Sequence, residues 1–310
     1  MQAVVTFNVT GTDNCGSLDP TVVTDPLSGS IFPVGTTVVT ATATDDAGNT
    51  SVCTFNVIVS DTEAPVLTCP PADVTANNDA GLCSATVIFD VTATDNCGGT
   101  LTPVVTPASG SSFPVGTTVV SATVTDGSGN SANCSFNVVV ADTEDPTITC
   151  PIDVSVGTDN GICTASGVDL GTPVTADNCA VDQTTNDGPT TYNVGPTTVI
   201  WTVTDIHGNS NTCAQIVNVA DDEAPVLTCP PADVTATAAQ GTCAATVDFV
   251  VSALDNCDAN PGVVATPASG SSFPVGSTPV TVVATSATDK SSTCAFNVVV
   301  SDTEAPVLTC

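Results

Sequence analysis

The chain has 310 residues and carries 32 Asp and Glu against one lysine, no arginine and one histidine, a formal net charge of −31. So one-sided a charge excludes the phosphates of nucleic acid and anionic lipid as partners and favours cations. No apolar run approaches the roughly 20 residues that span a bilayer, and 15 cysteines without a C-x-x-C pair exclude zinc and dithiol redox chemistry in favour of structural disulfides in an extracellular or cell-surface setting.

In chain order, residues 1–60 hold "SGSIFPVGTT" at 28–37, with no basic start followed by an apolar leader, so the sequence reads as mature, trimmed or a fragment. "DTEAPVLTC" at 61–69 then opens a stretch that contains "SATVIFDVTA" (84–93), "SGSSFPVGTT" (109–118), "TTVVSATVTD" (117–126) and "CSFNVVVAD" (134–142). The same order returns from "DTEDPTITC" (142–150), with "TYNVGPTT" (191–198) as a diverged copy of the Phe-Pro-Val-Gly element, and from "DDEAPVLTC" (221–229), with "SGSSFPVGST" at 269–278. The chain ends on "DTEAPVLTC" at 302–310. Cys69, Cys150, Cys229 and Cys310 thus mark a repeat of roughly 80 residues, long enough for a small domain with its own core. Three full repeats are expected at 61–141, 142–220 and 221–301. Residues 1–60 lack the first strand of a repeat, and 302–310 supply the linker and first strand of a following one.

The segments are short, rich in Val, Thr and Phe, and bounded by Gly, Pro, Asn and Asp, so they read as strands. About seven strands in ~80 residues imply an all-β fold, a row of tandem immunoglobulin-like antiparallel β-sandwiches in an elongated array. "DGSGN" (126–130) is a hairpin loop in which Gly129 and Asn130 tolerate positive φ, and Phe113 folds into the core. The incomplete first repeat holds Cys15 and Cys53, counterparts of Cys97 and Cys134, so these two classes are expected to pair. The expected bonds are Cys15–Cys53, Cys69–Cys83, Cys97–Cys134, Cys150–Cys163, Cys179–Cys213, Cys229–Cys243 and Cys257–Cys294, with Cys310 left over.

The order TCP, GxC, DNC, FPVG, TDxxGN, C-x-FNVxV and xDTExP resembles the hyalin repeat family over essentially the whole chain. That resemblance implies an immunoglobulin-like module found in tandem in matrix, surface and adhesion proteins, with a structural or adhesive role and no catalysis of its own. Fold alone would not license that step.

Three acidic clusters recur. The linkers hold Asp61 and Glu63, Asp142 and Glu144, Asp221 and Glu223, and Asp302 and Glu304. A loop inside each repeat holds Asp13, Asp95 with Asn96, Asp177 with Asn178, and Asp255 with Asn256. The hairpin loop holds Asp45 with Asn49, Asp126 with Asn130, and Asp205 with Asn209. In a sandwich of this type the three meet at one end, next to the linker that leads into the domain. An all-oxygen, flexible donor set of that kind suits Ca²⁺. The competing reading is local turn chemistry, in which Asp and Asn side chains bond nearby amides. In the last repeat Ser286 and Lys290 replace the hairpin Asp and Asn, and an ammonium is expected to stand near Asp221, Glu223 and Asp255 in place of a metal.

The lone His207 lies in a loop without a nucleophile beside it, and paired carboxylates present in every repeat are scaffold, not one active site. Trp201 reads as core. Sequons occur at Asn8, Asn49 and Asn133; Asn8 falls in a strand-like run and Asn133 beside a disulfide cysteine, so they read as chance. The expected function is a non-catalytic, disulfide-stapled, calcium-stiffened rod or filament; the alternatives are an adhesin stalk that binds a glycan or protein, and the repeat region of a larger secreted enzyme. Expected partners are adjacent repeats, identical chains head to tail, and other surface or matrix components, with no nucleic acid and no membrane insertion. The end at 302–310 is expected to be a cut in a longer array or a donor strand. Against donation, the position where Cys310 would seek the counterpart of Cys83 is Met1.

Overall fold

A computed structural model describes residues 1–15 and 19–309. Cys310 therefore lies outside the described residues. The chain divides into two compact units, Met1–Glu144 and Asp145–Cys310, each holding two repeats. The described residues form strands and no helix, and so none long and apolar enough to cross a membrane.

Repeat 1 holds β1 (Gln2–Val4), β2 (Thr21–Asp25), β3 (Ile31–Pro33), β4 (Gly35–Thr44) and β5 (Thr50–Val59). Repeat 2 holds β6 (Val66–Thr68), β7 (Val74–Asn77), β8 (Ser84–Thr86), β9 (Thr92–Thr94), β10 (Val104–Thr106), β11 (Ser112–Pro114), β12 (Gly116–Thr125) and β13 (Ser131–Ala141). One layer of repeat 2 is a four-stranded sheet in the order β10-β12-β13-β7; the other consists of the ribbons β6-β9 and β8-β11. All pairs are antiparallel except β7 with β13, which run parallel. Repeats 3 and 4 repeat this plan, including the parallel pair (Val154 with Val217, Val234 with Val298).

The alternation expected of half-buried strands explains the layers. Along β12, Val120, Ala122 and Val124 are buried, while the Thr and Ser residues between them face outward. Between the layers of repeat 2, Phe89 packs edge-to-face on Phe113 and Phe136 with ring centroids 6.1 and 4.9 Å apart. The same triad occurs as Phe7, Phe32 and Phe55, and as Phe249, Phe273 and Phe296. Phe113 is buried as expected.

Repeat 3 solves its core differently. Gln215 stands at the register position of Phe136 (opposite Val199, as Phe136 is opposite Val120) and is 0% exposed. Its Oε1 accepts from Trp201 Nε1 at 2.9 Å, and its Nε2 donates to the carbonyls of Ile152 and Leu170 at 2.7 and 3.0 Å. A buried amide is tolerable because each of its polar groups is satisfied.

Repeat 1 has three strands fewer than repeat 2, counterparts of β6, β7 and β9, where the sequence suggested one fewer. Its sheet has three strands in the order β2-β4-β5, so β5 lacks the parallel neighbour that β7 gives to β13. Residues 10–12, the counterpart of β9, lack the partner that β6 supplies.

Gln215→Leu is similar in size but strands the Trp201 N–H and two partly buried carbonyls. It should destabilise repeat 3 by about 1–3 kcal/mol in chemical denaturation, and a change near zero would show that the network carries no net stability.

Candidate metal centre and staples at the repeat junctions

The linker Asp-x-Glu has a fixed local form. The first carboxylate turns back so that Oδ1 accepts the amide two residues on: Asp61 from Glu63, Asp142 from Glu144, Asp221 from Glu223, and Asp302 from Glu304. This is an Asx turn, and it leaves the aspartate Oδ2 for other contacts.

The linker Glu points back to the preceding repeat. Glu144 Oε2 accepts from Gly81 N at 2.8 Å and from Asn78 Nδ2 at 3.0 Å, while Asn78 Oδ1 accepts from Thr143 N. Glu223 Oε1 accepts from Gly161 N at 2.7 Å, and Glu304 Oε2 from Gly241 N at 2.8 Å. Each of these glycines has positive φ (72°, 72° and 75°), the conformation that glycine alone adopts without strain. Glu63 has no such loop behind it in repeat 1 and accepts instead from Asn96 Nδ2. Glu144, Glu223 and Glu304, expected in one cluster with the aspartates, are thus engaged elsewhere, while Glu63 meets Asn96 of its expected cluster.

The linker Asp points forward. A carboxylate oxygen of Asp61, one of Asp95 and Cys97 Sγ lie within 4.8 Å of one another. Asp61 is 7% exposed, and its Oδ2 is buried without a hydrogen bond, as is Asp95 Oδ1. Asn130 Nδ2 reaches the Asp61 carbonyl at 3.3 Å, which brings the hairpin loop to the same point. The Asp61 carboxylate beside Cys97 pushes that thiol up in pKa.

The hairpin carboxylates are held by their own turns. Asp126 accepts from the amides of Ser128 and Asn130 and from the Asn130 side chain. Asp45 does the same with Ala47 and Asn49, and Asp205 with His207 and Asn209. The Asn49 and Asn130 side chains lead in holding Asp45 and Asp126 below the usual carboxylate range. For Asp205 burial raises the pKa, but the Asn209 side chain and three backbone amides outweigh it and hold it low. Gly129 takes the turn's positive φ at 95°; Asn130 does not. In repeat 1 Asp13 and Asp45 line one open cleft with Asn49.

In the second unit, Asp177 Oδ2 accepts from Cys179 N and Ala180 N, and its Oδ1 is buried without a hydrogen bond; Asn178 Nδ2 lies 3.7 Å from Cys179 Sγ. Asp255 Oδ1 accepts from the amides of Cys257 and Asp258, while Asp255 Oδ2 and Asn256 Oδ1 are buried and unbonded. Lys290 is exposed and does not take the place expected of it. Thr288 donates its hydroxyl to Asp221 Oδ2 at 2.9 Å and lies 2.9 Å from Ser286 Oγ. A short hydroxyl replaces the ammonium because the loop turns at Asp289 (φ 63°), one residue before the lysine.

The disulfides overturn the expected pairing. Cys69 bonds Cys134, Cys150 bonds Cys213 and Cys229 bonds Cys294, tying the first strand of each full repeat to the last. Cys163 bonds Cys257, which joins repeat 3 to repeat 4. Cys83 and Cys179 are also disulfide-bonded, and Cys15, Cys53, Cys97 and Cys243 are free. None of Cys15–Cys53, Cys69–Cys83, Cys97–Cys134, Cys150–Cys163, Cys179–Cys213, Cys229–Cys243 and Cys257–Cys294 forms. Cys15 and Cys53 share repeat 1 because each lacks its own partner there. Repeat 1 has no counterpart of Cys69, and Cys15 corresponds to Cys257, whose bond reaches into the preceding repeat. Around that bond Asn256 Nδ2 donates to Thr158 Oγ1 and to the Ile162 carbonyl, both at 3.3 Å. The spacing of the staples was legible; their direction across the junction was not.

Such disulfides belong to an oxidising setting, outside the cell or at its surface. The chain is 34% identical over 327 residues to Hyalin of Lytechinus variegatus, covering 97% of this chain and 59% of that protein. It is 35% identical over 318 residues to Hyalin of Strongylocentrotus purpuratus, covering 96% of this chain and 26% of that protein. It therefore spans little more than half of the first relative's length and a quarter of the second's. Among solved structures, the extracellular cadherin domains 1–5 of Protocadherin Gamma B2 superpose with a TM-score of 0.35 at 15% identity, covering 95% of this chain and 73% of that one.

Mass mapping of the non-reduced chain should yield a Cys163–Cys257 linked peptide; a Cys150–Cys163 peptide would contradict the pairing. The depressed Asp205 contributes stability that is present above its unfolded pKa, near 4, and is lost as pH falls through the lower folded value. Asp205→Asn should therefore flatten the acid-unfolding profile of repeat 3 below about pH 4, and an unchanged profile would remove Asp205 as its source.

The HYR domain matches residues 1–59, 60–140 and 220–300, the intervening repeat being the one with the Trp201–Gln215 core, and the chain belongs to the HYR domain family.

Proposed function

We propose that the chain is a non-catalytic, extracellular structural segment in which HYR repeats stack as a disulfide-stapled, calcium-stiffened rod. The observation that carries the reading is the junction between repeats 3 and 4. There Glu223 holds the preceding repeat, Asp221 the following one, and Cys163–Cys257 closes them covalently. A domain pair fixed at three points suits spacing or connection better than independent binding modules on a flexible tether. The two non-Phe aromatic residues, Trp201 and Tyr192, are 6% and 2% exposed and so offer no surface for stacking on a sugar. The adhesive reading would need another surface.

For calcium, the donor set fits. Asp61 Oδ2 and Asp95 Oδ1 are buried, hard, anionic oxygens without a hydrogen bond, on two residues whose carboxylates approach within 4.8 Å beside Cys97. Two such carboxylates are costly to bury unless a cation neutralises them. Asp61 and Asp95 would hold the ion, with Asn130 positioning the linker carbonyl. Bound Ca²⁺ would supply charge compensation and tie linker to loop. Between repeats 3 and 4, Ser286 and Thr288 supply hydroxyls where repeat 2 has Asp126, so that site carries one carboxylate fewer.

Calorimetry with and without a chelator tests the reading. Free Ca²⁺ at a hundredfold excess over Kd should stabilise repeat 2 by about 2.7 kcal/mol, and Asp61→Asn with Asp95→Asn should abolish that gain. A melting profile indifferent to chelator would sink the calcium part of the proposal and leave the stapled array intact.

A further inference from the structure

The chain contains one Asn-Gly pair, Asn160-Gly161. It falls on the loop of repeat 3 that receives the linker, and its glycine amide is the donor that Glu223 Oε1 accepts at 2.7 Å. The corresponding loops read Ala80-Gly81 in repeat 2 and Gln240-Gly241 in repeat 4. All three glycines donate to a linker glutamate, so the loop has the same mechanical task in each repeat. Only in repeat 3 does it carry a side chain poised to react with its own backbone.

An asparagine followed by glycine is chemically unstable wherever the chain can bend back on itself. After losing its proton, the glycine amide nitrogen attacks the asparagine Cγ. A nitrogen–carbon bond forms, ammonia leaves, and a five-membered succinimide closes. Water then opens either carbonyl of the ring to give aspartate or isoaspartate, with no oxidant or reductant involved. Glycine is the most permissive neighbour because it has no Cβ to obstruct the closure. Alanine offers no side-chain amide, and glutamine would have to close a larger ring, a slower reaction.

Two features hold this reaction back. The Ile162 amide donates to the Asp159 carbonyl at 2.9 Å, closing a four-residue turn with Asn160 and Gly161 at its centre. Gly161 takes φ 72° there, as the second central residue of a type II turn must. The turn fixes the direction of the Gly161 N–H, which points at Glu223. The carboxylate is the second lock. A negative charge 2.7 Å from the nitrogen opposes formation of the amide anion that would attack. Asn160 itself is exposed, so the water that completes the reaction is at hand.

We propose that Asn160 is a site of spontaneous deamidation guarded by Glu223, which gives the junction between repeats 3 and 4 a one-way chemical switch. While the linker is docked, the Gly161 amide is engaged and Asn160 persists. When the junction opens locally, the amide is released and the side chain cyclises. The succinimide nitrogen bears no hydrogen, so ring closure removes the donor that Glu223 requires. Hydrolysis restores the N–H but adds a carboxylate beside Glu223, and the isoaspartate form also lengthens the backbone of the turn by a methylene group. Both changes oppose redocking. The Cys163–Cys257 bond follows closely in the chain and takes no part, so the two repeats stay linked after their docking is lost. A stiff junction becomes a hinge, and the covalent structure keeps the record.

This inference rests on the reading of repeats 3 and 4 as a docked pair, and the test separates the two. The chain and a synthetic peptide of residues 156–162 are held in mildly alkaline buffer with CaCl₂. Mass mapping follows conversion of Asn160 to aspartate and isoaspartate, and hydrogen exchange is measured at the Gly161 amide of the chain. The chain should convert at least about tenfold more slowly than the peptide, as expected from loss of a hydrogen bond to a charged group. Glu223→Ala should speed both Gly161 exchange and conversion by a similar factor. Glu223→Gln, which keeps an acceptor oxygen, should fall between. Asn160→Ala should abolish the conversion and leave Gly161 protected. Conversion as fast in the chain as in the peptide with Gly161 still protected overturns the guarded switch and leaves the docked pair standing. So does conversion unchanged in Glu223→Ala while Gly161 exchanges faster. A Gly161 amide that exchanges freely in the unaltered chain overturns the docking itself.

Discussion

A three-residue linker in which two carboxylates face opposite ways is the constraint on which the arrangement of repeats depends. Asp221 turns back on the Glu223 amide through Oδ1, which frees its Oδ2 for Thr288 of the repeat ahead, while the Glu223 side chain accepts the Gly161 amide of the repeat behind. Because the two side chains are one residue apart in a short turn, neither neighbour can rotate without breaking a charge-assisted hydrogen bond, the stronger kind. With one lysine in the whole chain, these carboxylates take their hydrogen bonds from backbone amides and a hydroxyl.

The repeats need such help from outside because each has a modest core. Three phenylalanines and a row of valines fill the space between the layers of repeats 1, 2 and 4, and most of the outward positions are Thr and Ser. Domains of this size bury a smaller fraction of their surface than large ones do and are commonly braced by disulfides. The bond from first strand to last holds the two layers together, and the bond from one repeat to the next extends the brace across the junction. Repeat 3 shows that the aromatic triad is dispensable, provided that the buried Gln215 amide is fully satisfied.

Much of this was legible in the sequence. Alternating Val and Thr in "TTVVSATVTD" gave the strand and its inward face, the return of "DTEAPVLTC" gave the repeat, and the structure places Asp61, Asp95 and Asn130 near one another. Failures came where two placements satisfy the same local pattern. A cysteine says that it will pair and not with which layer, so elimination inside repeat 1 chose a pair, Cys15 with Cys53, that shares a repeat only by lacking partners. Glu144, Glu223 and Glu304 were grouped with their aspartates by proximity along the chain, but a glycine with positive φ on the far side offers an amide that no periodicity announces. The lysine was misplaced for a similar reason: the turn at Asp289 sends its side chain outward, and Thr288 is the residue that faces Asp221.

The bond between first and last strand also fixes where tension travels. Pulled from its ends, the chain enters repeat 2 near Cys69 and can leave it at once through Cys134, bypassing a loop with a sequence separation of 65. Cys150 and Cys213 shunt repeat 3 in the same way, as Cys229 and Cys294 do repeat 4. Between Cys69 and Cys294 the hydrophobic layers therefore lie off the load path, and there only the stretches from Cys134 to Cys150 and from Cys213 to Cys229 bear it. Those stretches contain the linkers, so the stapled part of a stretched array would yield first at its carboxylates and keep its three sandwiches folded.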